Sequence, residues 1–400
     1  MANEGVTSPK GFLAAGVSCG LKQSGNRDLG LIVCPGGAKA AALFTTNSIV
    51  AAPVTVSREH VKSRNIYAVI VNSGNANACT GKAGIRNAEK MCALVADGVE
   101  CGPEEVLVAS TGIIGHPLEV SKIEKAIGGA FEKLDVSEEA SLSFAKSIMT
   151  TDTKLKQALR KLAISGRDVI IAGTAKGAGM IGPNMATTLS FITTDAAISK
   201  TLLARAQRAG VGSSFNKLTV DIHQSTNDTS IILASGAAGN KAITKADSDY
   251  RKFEAAVVEV CDDLARQMAL DAEGATRMFK VVVNGAASKA DASKAARAVA
   301  DSPLVKCAVH GGDPNWGRII CAVGSCGVKL NESKLSCKIE DITVFSKGSV
   351  SKFDASKAAA AISKVCHTIT VSLGVGKVSD FCYGCDLSRE YVAINADYHT

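Results

Sequence analysis

Four hundred residues exceed one ordinary hydrophobic core, so two domains or two large lobes are expected. An apolar fraction of 46% with 21% charged residues excludes a disordered chain. The mild net charge of +7, spread over scattered lysines, and aromatics at only 4% argue against a nucleic-acid partner, which needs a basic patch or stacking rings.

The chain opens on the polar Met1-Ala2-Asn3-Glu4, without signal-peptide or transit-peptide character, so any transit peptide has been removed or never existed. No apolar run reaches membrane-spanning length, which argues against a membrane partner. Short strands are expected at Leu29 to Cys34 and Ile66 to Val71. The polar loop Asn72-Ser73-Gly74-Asn75-Ala76-Asn77 ends the second, where α/β proteins place binding groups. A helical pattern covers Ala83 to Val99, and Val106 to Ala109 reads as a strand ending in Ser110-Thr111-Gly112. Further helices run from Pro117 to Ile127 and from Ser137 to Ser147. Thr150-Thr151-Asp152-Thr153 has turn or cap character, and the amphipathic Lys154 to Leu162 is polar enough for the surface.

Val169 to Ala172 reads as a strand, followed by the glycine-rich Lys176-Gly177-Ala178-Gly179-Met180-Ile181-Gly182-Pro183-Asn184-Met185-Ala186-Thr187. Leu189 to Asp195 and Ser230 to Leu233 are strand-like, with helices over Lys200 to Ala209 and Tyr250 to Met268. The dense polar loop Ser225-Thr226-Asn227-Asp228-Thr229 lies between those helices. A strand from Met278 to Val283 precedes a helix over Ser288 to Ala300. The run His310 to Arg318 reads as a loop holding the single tryptophan, and His310 is a candidate functional residue. The last third alternates strands at Cys366 to Leu373 and Tyr391 to Ala396 with a helix over Ala355 to Ile362. The mixture is a layered α/β chain.

Thirteen cysteines form an odd count in a chain that is not small, and reduced structural thiols in a reducing compartment fit best. Cys382 and Cys385 have the C-x-x-C spacing of half a metal site or a redox pair, but no histidine stands at ligand spacing beside them.

Two readings compete for the central glycine-rich stretch. Gly177, Gly179 and Gly182 satisfy G-x-G-x-x-G, but a dinucleotide motif must open a helix, and the threonines and β-branched residues after Pro183 oppose one. The alternative is a reactive threonine. A hydroxyl needs an adjacent base, and a chain-terminal threonine supplies its own α-amine. For Thr187 that requires cutting the preceding peptide bond, which small flexible upstream residues would tolerate. The residues permit this reading without compelling it.

The stretch Lys176 to Thr187 resembles the self-cleavage signature of the ornithine acetyltransferase family, also called bifunctional glutamate N-acetyltransferase. Similar motifs recur along nearly the whole chain: Ala51-Ala52-Pro53-Val54, the 72–77 loop, Ser110-Thr111-Gly112, the 225–229 loop, Gly312 to Arg318, and the ending from Ile394 to Thr400. The resemblance implies a DmpA/ArgJ-like α/β fold and cleavage between Ala186 and Thr187, giving an α chain (1–186) and a β chain (187–400) with a C-terminal lobe from about 275. It implies an α2β2 heterotetramer. Thr187 would take an acetyl group from N2-acetyl-L-ornithine, releasing L-ornithine, and pass it to L-glutamate, giving N-acetyl-L-glutamate for arginine biosynthesis. Some members also use acetyl-CoA as a co-substrate; no other cofactor and no metal is implied. Thr111 and Gly112 match the oxyanion-hole pair, while Thr153, Lys176, Thr187, Glu273, Asn395 and Thr400 match the substrate-contacting set. His223 and His399 depart from the family pattern. The same fold group also contains N-terminal-nucleophile aminopeptidases and amidohydrolases, the alternative activity. The run Asp386 to Val392 and the many cysteines look plant-like, which implies a chloroplast enzyme, with cytoplasm as the alternative.

Overall fold

Alternating apolar residues near the N-terminus form β1 (Leu13–Val17) and the long β2 (Leu29–Phe44), in a computed structural model that describes residues 4–182 and 188–397. Leu29, Leu31 and Val33 pack into one core cluster, and Ile32 and Cys34 into another. Strand periodicity of two thus buries β2 on both faces. The chain divides into two compact units, Met1–Asn216 with His223–Met268 and Lys217–Ile222 with Ala269–His399.

In the first unit β2 is followed by α1 (Ala52–His60), β3 (Ile66–Asn75), α2 (Gly81–Val99), β4 (Val106–Ile113), α3 (Val120–Glu132) and α4 (Glu138–Ile148). The chain continues through β5 (Lys156–Ile164), β6 (Arg167–Lys176), β7 (Leu189–Thr194), α5 (Lys200–Ser213), β8 (Thr229–Ala234) and most of α6 (Ser248–Leu270). The described strands join in the order β4-β3-β2-β8-β7-β6-β5, with β1 also on β2. β3 with β4 and β7 with β8 are parallel; the other neighbours are antiparallel. Phe144 and Ile148 of α4 fill one face, where Phe144 meets Phe191 edge-on at 5.3 Å. Met91, Cys92 and Val95 of α2 and Ile123 of α3 cover the other. α5 and α6 lie against β6–β8: Gln207 donates to the Ser230 carbonyl, and a Cβ on Gly173 would sit 3.1 Å from Val260 and Leu264.

The second unit holds β9 (Met278–Ala286), α7 (Lys289–Asp301), α8 (Pro303–Gly311), α9 (Trp316–Ser325), β10 (Ser336–Ile339) and β11 (Ile342–Ser346). β12 (Ser349–Val350), α10 (Ala355–Ile362), β13 (Cys366–Ser372), β14 (Val378–Cys385) and α11 (Arg389–Asp397) follow. Its sheet runs β12-β11-β10-β13-β9-β14 with only the β9–β13 pair parallel. Phe279, Val281 and Val283 of β9 join Ala292 and Ala296 of α7 and Val305 and Val309 of α8 in its core. Side-chain caps start the helices where the chain must turn: Ser288 accepts from the Asp291 N–H and Asn315 from the Arg318 N–H.

Two local expectations are corrected. Tyr391 to Ala396 is helical within α11, not a strand. Its β-branched residues are outweighed by the Ser388 hydroxyl, which accepts the Tyr391 N–H, and by the Asn395 side chain, which donates to the Tyr391 carbonyl. The expected loop from His310 to Arg318 belongs instead to the end of α8 and the start of α9. Trp316 begins α9 and stacks on Phe345 at 5.3 Å. Lys154 to Leu162 lies mostly in the edge strand β5 and is largely exposed or half-buried as expected, except that Ala158 is buried and Lys156 is only 1% exposed, paired with Asp152.

Candidate active site

The first cluster forms where β3 and β4 end side by side. In their parallel register Gly74 lies opposite Gly112, next to an irregularity at Asn75. Gly112 has φ +131°, and a Cβ there would meet the Gly74 carbonyl carbon at 2.3 Å. Only glycine fits such a backbone approach. The loops around it are knitted by buried amides. Asn72 donates to the Asn75 carbonyl at 2.8 Å and accepts from Ser110 at 2.6 Å. Asn227 donates to the Ala76 and Ser110 carbonyls at 2.6 and 2.9 Å. Thr111 and its Gly112 neighbour therefore sit on a braced edge.

Lys176 ends β6, is 5% exposed, and places its Nζ 3.4 Å from the Thr111 hydroxyl and 4.0 Å from Asp152 Oδ2. The structure thus brings together three residues expected at the site, Thr111, Gly112 and Lys176. It adds Asp152, which the sequence places in the turn-like run Thr150-Thr151-Asp152-Thr153. Asp152 Oδ1 accepts from Lys156 Nζ and from the Gly177 N–H, each at 2.7 Å, and Oδ2 accepts from the Thr150 N–H at 3.0 Å. Burial alone would raise the Asp152 pKa, but the Lys176 and Lys156 cations outweigh it and hold the carboxyl well below the usual range. The lysine-rich spacing Asp152-x-x-x-Lys156 was the signal available in the sequence. Thr153 itself lies exposed in the loop before β5.

Lys22 approaches the same edge: a Cβ on Gly74 would lie 3.1 Å from its side chain. Its Nζ donates to the Arg27 carbonyl at 2.8 Å. Burial, with a smaller contribution from Lys176 and against the pull of Asp28, lowers its pKa to about 8. With Arg27, Lys146 and Asp152 it lines a cavity of about 470 Å³.

The backbone that follows the expected nucleophile is also held. The Thr188 N–H donates to Asp228 Oδ1 at 2.8 Å, and the Thr188 carbonyl accepts the Thr229 N–H at 2.9 Å. Ala186, Thr187, His399 and Thr400 lie outside the described residues.

In the second unit Asn395 Nδ2 donates to Glu273 Oε2 at 2.9 Å, so these two expected residues are neighbours. Gly274 beside them has φ +65°, and a Cβ would stand 2.4 Å from the Tyr391 nitrogen. The Tyr391 hydroxyl donates to Asp221 at 3.3 Å, and burial together with Asp221 pushes its pKa well up. His310 is placed structurally: its Nδ1 pairs with Asp386 at 2.7 Å, while Asp386 also accepts from Thr276 and Arg277 at the approach to β9. His223 is exposed. All thirteen cysteines are free thiols, with Cys382 and Cys385 buried. Among the described residues no cluster of His, Cys, Asp and Glu could hold a metal ion, and no helix is long and apolar enough to cross a membrane.

Comparison with known proteins gives a consistent picture. A model described as the ArgJ family matches residues 13–400. The arginine biosynthesis bifunctional protein ArgJ of Symbiobacterium thermophilum is 43% identical over 398 residues, covering 99% of this chain and 98% of that protein. The protein of the same name from Bacillus cereus is 42% identical over 401 residues, covering 100% and 98%. A crystal structure of arginine biosynthesis bifunctional protein ArgJ from Bacillus halodurans superposes with a TM-score of 0.51 at 39% identity, covering 52% of this chain and 98% of that one.

Proposed function

The chain belongs to the ArgJ family, with its layered α/β fold, and from that premise we propose how it works as an acetyltransferase of arginine biosynthesis. The reaction is acetyl transfer from N2-acetyl-L-ornithine to L-glutamate through an acetyl ester on Thr187. The observation that carries this reading is the buried Lys176 at hydrogen-bond range of the Thr111 hydroxyl, beside the glycine-only register position Gly112.

In this reading the chain is first cut between Ala186 and Thr187, freeing an α-amine. That amine takes the Thr187 hydroxyl proton as the oxygen attacks the acetyl carbonyl. The tetrahedral oxyanion is met by the Thr111 hydroxyl and the Gly112 N–H, and the nearby Lys176 cation polarises the Thr111 donor. The C–N bond breaks, and ornithine leaves with the proton. Glutamate then attacks the ester by the reverse sequence and leaves as N-acetyl-L-glutamate. Asp152 sets a carboxylate 4.0 Å from the Lys176 ammonium and holds it in place, which suits an anionic α-carboxylate. Thr153, Glu273, Asn395 and Thr400 complete substrate contact, and the two fragments assemble as α2β2. Acetyl-CoA serves as an additional donor. A chloroplast location rests on the Asp386 to Val392 run and the cysteine content alone; the relatives named above are bacterial, and fractionation of the source cells tests it.

Denaturing mass analysis with a paired assay tests the function. Two fragments breaking before Thr187 are expected, along with acetyl-glutamate from acetylornithine. Thr187→Ala should be uncut and inactive. An intact 41.1 kDa chain with full activity, or full transfer by Thr187→Ala, overturns the mechanism. Hydrolysis to acetate unaffected by glutamate would favour the aminopeptidase-like alternative.

A further inference from the structure

Asp228 is a buried acid that the acetyl-transfer steps above leave unused. It is 1% exposed, its backbone carbonyl accepts the Thr45 N–H at 2.9 Å, and its Oδ1 accepts the Thr188 N–H at 2.8 Å. Its Oδ2 is buried without a hydrogen-bond partner among the described residues. An orphaned buried oxygen costs about 1–3 kcal/mol, so the carboxyl is a poor choice for stability alone. Thr188 is gripped on both sides, since its carbonyl accepts from Thr229 at the start of β8. The Thr188 N–H belongs to the planar peptide unit whose other end is the Thr187 carbonyl, so holding that hydrogen orients the unit.

We propose that Asp228 is a positioning residue for Thr187, its hydrogen bond to the Thr188 N–H clamping the peptide unit that joins the two threonines during chain cutting. The inference rests on the reading of Thr187 as the nucleophile. Burial raises the Asp228 pKa well above the carboxylate range, against the Thr188 hydrogen bond and the field of Lys176 from the end of β6, the charged group that acts on it. The clamp works through Oδ1, which accepts the Thr188 N–H. An asparagine keeps an oxygen acceptor at that place, and an alanine does not.

The experiment uses full-length wild type, Asp228→Asn and Asp228→Ala made by cell-free synthesis in one buffer and quenched over time. Fragment formation is read by denaturing mass spectrometry, with thermal melting in parallel. Asp228→Ala should be cut about tenfold more slowly or worse. Asp228→Asn, which keeps an acceptor oxygen, should be cut within about threefold of wild type. Lys22 and Lys176 are unchanged in every arm, so that difference belongs to position 228. The proposal is overturned if Asp228→Ala is cut at the wild-type rate, or if Asp228→Asn is as slow as the alanine variant. Should the alanine variant fail to fold, the asparagine arm decides. A wild-type chain that never cuts overturns the function with this proposal, whereas a cutting wild type with an equally fast alanine variant overturns this proposal alone.

Discussion

Lys176 Nζ donates to the Thr111 hydroxyl at 3.4 Å, so a cation from β6, next to one edge of the first sheet, meets a hydroxyl from β4 at the opposite end of the strand order. Four strands separate β6 from β4 in that order: β3, β2, β8 and β7. Their meeting sets the Lys176 ammonium against a partly buried threonine hydroxyl, which makes the following outcomes measurable.

Thr111→Val removes the hydroxyl with little change of volume. The kcat for acetyl transfer should fall about 10²-fold with a much smaller change in KM, as for a donor that acts in the transition state. Steady-state kinetics on folded variant check this, and an unchanged kcat would remove Thr111 from the oxyanion site.

Gly112→Ala places a methyl against the Gly74 and Asn75 backbone, at distances of 2.3 and 2.5 Å that no relaxation of a flexible side chain relieves. With φ at +131° the backbone is strained as well. A loss of about 2 kcal/mol or more is expected. Denaturant melts compared with Gly128→Ala, where a Cβ meets nothing within 4 Å, provide the contrast.

Asp152→Asn leaves Lys156 and Lys176 without their shared carboxylate. Removing one partner of a buried pair costs about 3–5 kcal/mol. The folded pKa of Asp152 lies below its unfolded value, so its contribution to stability is fully present above the unfolded pKa of about 4 and is lost as pH falls through the folded value. Melts of wild type should therefore steepen in acid below about pH 4, and the variant should lose that component of the slope.

Lys22 carries its charge below about pH 8 and loses it above. If its field helps draw anionic substrates to the edge, KM for glutamate should rise as pH passes through 8 and Lys22→Met should flatten that rise while raising KM at neutral pH. KM measured across this range for both chains decides it.

Asn395→Ala removes the amide that bonds Glu273 and the Tyr391 carbonyl. Both the Glu273 contact and the last turns of α11 depend on it. KM for acetylornithine should increase about tenfold, with a smaller change in melting temperature, because the broken side-chain bonds are exposed. An unchanged KM would place Asn395 outside substrate contact.

Much of this molecule was legible in order along the chain. Alternation in Leu29 to Cys34 and in Met278 to Val283 marks strands because a period of two must bury one or both faces of a sheet. The glycine, asparagine and threonine motifs point to the ends of β3 and β4 because such residues serve where backbone approaches closely and amides must be bonded. The Tyr391 to Ala396 segment was misread because local propensity counts side-chain branching and omits the Ser388 hydroxyl and the Asn395 amide that hold α11.

What composition and motif determined was the layered class and the identity of Thr111, Gly112 and Lys176 as residues worth bringing together. What only the tertiary structure decided was why a buried lysine is tolerated there. Asp152 and Lys156 lie 24 and 20 residues before Lys176, and nothing local says that β5 and β6 fold back to set one carboxylate between both cations. The same holds for Asp228, which meets Thr188 only because β7 and β8 pair in parallel. Charge pairing and hydrogen bonding act over a few ångströms, so they are set by which strands become neighbours, and that is settled by burial of the whole sheet.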